Sequence, residues 1–539
     1  MIAVLLLTKI AEITLLLTLQ ESWLWSERRK PLRIAFRRCC RLFAEKIIAF
    51  CKLASVVILA SAFSSLAQES PQPSPVAGAP SNTSGTSEVP VNSTSGPNGV
   101  NVSGQPGSSN SAAQQMQAWN WHVQGTAAMQ GYPPFPAKYS RPANSLPTGG
   151  QIRETVSVDV FAGLRLWPGA EVHFDGLMWQ GFGLHNTLGI DDFSSGEAYK
   201  AGTDYPKLDI ARIFIRQTIG LGGEQEDVPA DGLTLAGRHD ISRIAIAVGR
   251  IAAIDIFDNN SYAGDPTTQF LNWAFISNVA WDYPADSIGF TTGATIELRQ
   301  PNWAVRYGFF QIPAEANTFT SEDEIFIYPL PKGIQAGDGP IFKDWGMVTE
   351  LERRYTLYSR PGVLRFLTFL NQGRFGSYKA ALAVPGADIT QTHALRQNYG
   401  FGLNWEQALS ENSGLFSRLG WNHGRNQAWM FTDVNYTASL GLSLNGEPWG
   451  RPHDTYGLAG VISGITRDNQ RFLEAGGLGI LDGDGKLDYG WEKVLETYYD
   501  FPLWTNTHLA ADYQFVGDPT FNKARGPVNI LGARLHVEF

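Results

Sequence analysis

The chain has 539 residues, of which 43% are hydrophobic, 17% charged and 12% aromatic, with 56 glycines and a formal net charge of −9. Nothing after residue 70 approaches the run of about 20 apolar residues that a transmembrane helix needs, so a helical transporter is excluded. The acidic balance argues against nucleic acid as a partner.

In chain order, the first feature is an export signal. Arg37, Arg38, Arg41, Lys46 and Lys52 form a basic region, Leu53 to Phe63 an apolar core, and Ser65-Leu66-Ala67 a small-x-small cleavage site before Gln68. A second apolar run, Met1 to Leu19, carries Lys9 and Glu12 and reads either as a mis-assigned translation start or as part of an unusually long leader. Residues 1–67 hold all three cysteines, Cys39, Cys40 and Cys51, so the mature chain has neither disulfide nor thiolate metal site. Removing them takes away 10 of 42 basic residues and 4 of 51 acidic ones and leaves a net charge of −15. Residues 68–117 are Pro, Ser, Gly, Asn and Thr with no Lys or Arg, a composition expected of a disordered periplasmic linker that acts as a spacer or a tether.

From Ala118 the pattern becomes short alternating strands bounded by Gly, Pro, Asn and Asp. Starts near 118, 154, 170, 208, 242, 289, 302, 346, 362, 399, 414, 434, 456, 492, 506 and 528 predict about sixteen strands over 118–539, an even number as a bacterial outer-membrane barrel requires. Val156, Val158, Val160, Ala162, Leu164 and Leu166 share one face against Ser157, Asp159, Gly163 and Arg165. In the last strand Leu531, Ala533, Leu535, Val537 and Phe539 oppose Arg534, His536 and Glu538. The expected fold is an all-β transmembrane antiparallel barrel with an apolar outside and a polar lumen. Trp167-Pro168-Gly169-Ala170 is a short turn, whereas 178–207, 220–240, 252–285 and 312–345 read as long polar loops, outside the barrel or folded into it. A short helix is predicted within Thr268 to Ser277.

Several strings resemble the OprB-type carbohydrate-selective porins. They include Trp119-Asn120-Trp121-His122-Val123-Gln124-Gly125-Thr126, Gln180-Gly181-Phe182-Gly183-Leu184-His185-Asn186-Thr187-Leu188-Gly189 and Ala211-Arg212-Ile213-Phe214-Ile215-Arg216-Gln217-Thr218. Phe257-Asp258-Asn259-Asn260-Ser261-Tyr262-Ala263, Asp265-Pro266-Thr267-Thr268-Gln269-Phe270, Asn272-Trp273-Ala274, Glu496-Thr497-Tyr498-Tyr499 and Gly526-Pro527-Val528-Asn529 follow the same pattern. The resemblance covers 118–539 and implies a monomeric or trimeric sixteen-strand barrel in the outer membrane of a Gram-negative bacterium. It implies passive diffusion of glucose and related small sugars, with no cofactor and no catalytic residue. The long leader and the linker are not features of that family.

Sugar selection needs aromatic faces for C–H surfaces and charged groups that replace water at hydroxyls; arginine offers several donors in a fixed fork. A charge facing lipid near the midplane costs roughly 2–4 kcal/mol, which assigns strand charges to the lumen. Strand parity puts Arg212 and Arg216 on one face and Glu350, Glu352 and Arg354 on another, with Arg250, Arg299, Arg306, Glu496 and Arg534 on nearby strands. These ten are the candidate constriction residues; the alternative role for each is an ion pair that stiffens the wall. Trp179, Trp273 and Trp345, placed in long loops, are candidate stacking platforms, with girdle or loop core as the alternative.

Asp482-Gly483-Asp484-Gly485-Lys486-Leu487-Asp488 lacks the distal Glu of an EF-hand, since the twelfth residue from Asp482 is Lys493, and is expected to be a solvated turn rather than a calcium loop. His423 is a conceivable base in an outer-membrane hydrolase, but no nucleophile is paired with it by sequence. General or anionic-solute diffusion, and a plugged barrel that binds at the surface, are the rival functions.

Overall fold

A computed structural model describes residues 116–139, 143–198, 202–317 and 343–539. The leader, and the linker up to residue 115, lie outside the described residues, as does most of the loop at 312–345.

The strands are β1 (Trp119–Tyr132), β2 (Gln151–Trp167), β3 (Ala170–Gly181), β4 (Thr203–Gly220), β5 (Gln225–Val228), β6 (Gly237–Asp240), β7 (Arg243–Ile251), β8 (Thr291–Gln300), β9 (Trp303–Gln311), β10 (Trp345–Leu357), β11 (Arg360–Gly373), β12 (Arg396–Ala408), β13 (Ser413–Asn422), β14 (Tyr436–Asn445), β15 (Thr455–Gly464), β16 (Glu492–Trp504), β17 (Thr507–Gly517) and β18 (Val528–Glu538). Sixteen of them form one closed antiparallel barrel, and β5 and β6 pair separately. Each barrel strand begins within five residues of its predicted start. The strands were legible because one face meets lipid and the other does not, which imposes a strict period of two.

Closure comes from β1 pairing with β18, Gln124 opposite Glu538 through Gly131 opposite Leu531. The Phe539 amide donates to the Val123 carbonyl at 2.8 Å, and the Phe539 carbonyl oxygen accepts from the Val123 amide at 3.1 Å, so the last residue completes the seam. Closure leaves no barrel edge with unpaired backbone groups, a requirement in a medium that offers none in exchange.

Along β2 the even residues are outside, with Val160 45% and Leu164 49% exposed, while Phe161 on the other face is fully buried. The same alternation exposes Ile215, Val248, Ile296, Leu351, Phe366, Phe401, Leu440, Leu495 and Leu531. Trp119, Trp167, Trp303 and Trp504 stand exposed at one rim, and Tyr205, Tyr399 and Trp491 near the other, as aromatic girdles at the two interfaces do.

Turns at the first rim are short. The β2–β3 turn needs Gly169 at φ +78°, where a Cβ would come within 2.2 Å of the Thr218 carbonyl oxygen. The β10–β11 turn holds Tyr358 and Ser359 at φ 50° and 62°, the left-handed pair that matches strand twist in a two-residue hairpin. One long connection breaks the expected asymmetry. Residues 221–242 join β4 to β7 at this short-turn rim, because β4 runs in the same direction as β2. That segment carries the β5–β6 hairpin, which the sequence did not signal. Its tip turns into the lumen: Gly232 packs on Phe161, and the Asn120 amide donates to the carbonyls of Asp231 (2.9 Å) and Thr234 (3.0 Å).

The β7–β8 connection, residues 252–290, takes the inward of the two positions expected for a long loop, but it is rich in buried apolar side chains rather than polar. Phe257, Phe270, Phe275 and Tyr283 are almost fully buried and lie in one apolar cluster with Trp273, Trp281, Phe193 and Phe431. A single helical turn, α1 (Trp273–Ile276), lies where the helix was predicted, capped by the Asn272 side chain on the Ala274 amide.

Candidate functional site

Residues 252–290 touch the lumen-facing residues of strands all round the barrel, which requires the segment to cross the interior. Asp255 pairs with Arg212 of β4, with Nε to Oδ2 at 2.7 Å and Nη2 to Oδ1 at 2.8 Å. The Asp258 amide donates to Glu350 of β10 at 2.7 Å, and the Ser261 amide to Glu406 of β12 at 2.6 Å. Arg418 of β13 donates from Nε to Asp258 Oδ2 (3.0 Å), from Nη2 to the Asp258 carbonyl (2.9 Å) and from Nη1 to the Phe275 carbonyl (2.5 Å). Glu496 of β16 accepts from the amides of Leu271 (2.6 Å) and Asn272 (3.0 Å). Arg534 of β18 donates to the carbonyls of Pro266 (2.9 Å) and Gln269 (2.6 Å). A loop buried without secondary structure must find partners for its backbone, and the wall charges supply them.

This divides the ten candidate residues. Arg212, Glu350, Glu496 and Arg534 are at most 1% exposed and committed to the inserted segment. Arg250 joins them through Asp286, at 2.7 Å from Nη2. Arg216 instead donates to the Leu233 carbonyl at 2.9 Å and holds the tip of the 221–242 connection. The remaining four meet in one ladder on the β7–β10 wall. Arg306 donates to Glu297 (2.5 Å), Glu350 (2.7 Å) and Glu352 (2.9 Å). Glu352 also pairs with Arg354 at 2.7 Å and with Arg365 at 3.0 Å. Arg299 and Arg243 both grip Glu226, at 3.2 and 2.7 Å.

The ladder keeps contact with solvent: 11% of the Arg306 side chain is accessible, 16% of Arg354, 21% of Glu297 and 28% of Glu226. On the inserted segment Asp255, Ile256, Asn259, Tyr262, Thr268 and Gln269 are likewise half-buried. Alternating acids and bases, each partly satisfied by the next, leave spare donors and acceptors for neutral hydroxyls and no large field of one sign.

Arg365, Glu406, Arg418, Glu297, Arg243 and Glu226 were not singled out from the sequence. A signal existed for Arg365, a lone charge within Val363-Leu364-Arg365-Phe366-Leu367, which only a lumen position tolerates. Glu226 carried none, since it reaches the ladder from the unforeseen hairpin.

Trp273 and Trp345 take the loop-core and girdle alternatives, and Trp179 lies in a strand instead of a loop. Trp179 belongs to β3 and is 1% exposed, and Trp345 is the first residue of β10, on the lipid-facing parity, stacked on Phe309 at 5.9 Å. Trp273 does lie in a long loop, but its ring stacks on Phe193 (5.1 Å) and Phe431 (5.7 Å) and forms loop core. His423 is likewise occupied: Nδ1 accepts from the Arg425 amide at 3.1 Å, so Nε2 carries the proton and donates to the Gln397 carbonyl at 2.9 Å. In the β3–β4 loop, burial pushes the Glu197 carboxyl up to about 7, against the opposing hydrogen bond from Ser157 at 2.8 Å.

The model of the carbohydrate-selective porin, OprB family matches residues 143–539. No curated protein sequence matches the chain. Among solved structures, the high-pH structure of Pseudomonas putida OprB is similar at 14% identity with a TM-score of 0.59, covering 78% of this chain and 94% of that one. The low-pH structure of the same protein gives 12% identity, a TM-score of 0.42 and coverage of 78% and 93%. Pseudomonas aeruginosa OccK2 (OpdF) gives 9%, 0.39, and 79% and 98%. At these identities the likeness concerns the fold.

Proposed function

The chain belongs to the OprB family of carbohydrate-selective porins, a bacterial outer-membrane channel and not an enzyme by its family and fold, and from that premise we propose that it passes monosaccharides such as glucose by passive diffusion. The observation that carries the reading is the crossing of the barrel by residues 252–290, which narrows the lumen against the ladder of Arg243, Glu226, Arg299, Glu297, Arg306, Glu352 and Arg354. Sugar hydroxyls exchange water for these donors and acceptors, and Tyr262 offers an aromatic face to ring C–H groups. Binding is weak and repeated, so release keeps pace with entry, and the gradient drives flow without a cofactor. The barrel closes within one chain, which makes the monomer the conducting unit whether or not three associate.

Export to the outer membrane of a Gram-negative cell goes with this reading: residues 1–67 serve as the leader and 68–117 as a periplasmic spacer. Liposome swelling tests the proposal. Glucose enters faster than amino acids of matched size; equal rates would reduce the protein to a general pore.

The near-complete burial of residues 252–290 favours one rival, a barrel plugged by its own loop that works as a surface binding protein. Loss of all ion conductance in planar bilayers selects that rival.

A further inference from the structure

The long loops hold a second constellation that the sugar path does not use. Asp191 of the β3–β4 loop, Asp433 of the β13–β14 loop and Asp482 of the β15–β16 loop bring carboxylate oxygens within 4.8 Å of one another. All three are at most 1% exposed. Part of this convergence is ordinary loop bonding. Asp433 Oδ2 accepts from the amides of Ile480 (2.7 Å) and Leu481 (3.2 Å), its Oδ1 from the Tyr378 hydroxyl at 3.4 Å, and Asp191 Oδ1 from the Asp433 amide at 3.3 Å.

What remains is not accounted for by those bonds. Asp191 Oδ2 and both side-chain oxygens of Asp482 are buried with no hydrogen-bond partner. An unsatisfied buried carboxylate costs several kcal/mol, and three side by side repel as well. A further carboxylate stands beside them: Glu492 accepts from the amides of Asp191 (3.3 Å) and Asp192 (2.7 Å). Gly479 makes the approach possible, since a Cβ there would lie 2.1 Å from Asp482 Oδ1 and 2.6 Å from Asp433 Oδ2. The Asn144 amide donates to the carbonyls of Gly479 (3.0 Å) and Asp482 (2.9 Å) and fixes the turn that presents Asp482.

We propose that Asp191, Asp433 and Asp482 form a calcium site that staples three long loops over the mouth of the barrel. The donor set is all oxygen and all anionic, which suits a hard divalent cation and gives soft metals nothing to prefer. Magnesium holds several waters in a strict octahedron, whereas calcium sheds water readily and accepts irregular carboxylate cages, so a buried three-carboxylate site favours calcium. The site is unlike the EF-hand reading considered for Asp482 to Asp488. Asp484 is taken by Ser145 Oγ (2.7 Å), the Tyr139 hydroxyl (3.0 Å) and the Lys486 amide (3.0 Å), and Asp488 by Lys138 (3.3 Å). Asp482 alone of that run serves, and its partners come from loops roughly 50 and 290 residues away.

The test uses the whole detergent-purified barrel, stripped with EDTA and titrated with terbium, with Tyr378 beside Asp433 as the sensitiser. Saturable terbium emission displaced by calcium is expected, together with a rise in the unfolding midpoint on the order of 5 °C in calcium over EDTA and a smaller rise in magnesium. Asp482→Asn removes one repelling charge without changing shape, so the variant folds; it is expected to lose the calcium-dependent shift and to weaken terbium at least about tenfold. Heat-modifiable migration verifies its barrel. Wild-type emission no stronger than that of Asp482→Asn, a calcium shift retained in the variant, or an equal response to magnesium would each overturn the assignment.

Discussion

Replacing Arg418 by Met removes the cation that holds the inserted segment at its centre. Arg418 is 1% exposed and makes three bonds, two to Asp258 and one to the Phe275 carbonyl. Deleting one partner of a buried ion pair costs about 3–5 kcal/mol, because the other charge stays behind without compensation. Asp258 keeps two donors, the Asn278 amide and the Asn404 side chain, both at 2.8 Å, which places the loss near the lower end, about 3 kcal/mol. The loss is local. The β12–β13 and β13–β14 ladders do not involve the side chain, so the barrel persists while residues 252–290 loosen. Planar-bilayer recording is expected to show larger, noisier conductance, and liposome swelling a reduced preference for glucose over size-matched amino acids. Exposed Arg153, replaced in the same way, serves as the control. Wild-type conductance and wild-type resistance of the loop to protease in Arg418→Met would refute the claim that wall charges hold the constriction.

Arg306→Ala takes from Glu297 its ion-pair partner and from Glu350 and Glu352 one donor each; reversal potentials are expected to shift toward cation selectivity, with sugar flux down by about tenfold, one lost charge-assisted contact. Gly420→Ala puts a methyl group 2.1 Å from Asn278 Oδ1, and overpacking on that scale costs about 1–3 kcal/mol, readable as a lower unfolding midpoint. Glu197 has its folded pKa raised to about 7 from 4.5, so the folded state binds the extra proton and stability is fully present at low pH and falls as pH rises from about 4.5 to 7. Glu197→Gln is expected to flatten that slope and to be more stable at pH 8 by on the order of 3 kcal/mol, measured by thermal unfolding against pH.

The wall was legible and its contents were not. Val156 to Leu166 alternate because each strand separates lipid from lumen, and that period survives any loop arrangement. The parity that put Glu350, Glu352 and Arg354 on one face is the same local information. Which of these meets solvent depends on residues 252–290, whose position is set by partners on β4, β10, β12, β13, β16 and β18, far apart in sequence. Phe257, Phe270, Trp273, Phe275 and Trp281 were visible as an apolar cluster between two strands, a density at odds with a solvated loop and the available sign that the segment folds inward. The acidic site was harder still, because Asp191, Asp433 and Asp482 share no local pattern and only the folded loops unite them.

Current through a single wild-type pore in a planar bilayer, recorded while glucose is added, tests the central claim most directly. Sugar that lodges against the ladder is expected to reduce and modulate the current at millimolar concentration, while an amino acid of matched size leaves it unchanged. A pore that carries no current at all, or one that both solutes affect alike, would contradict the account.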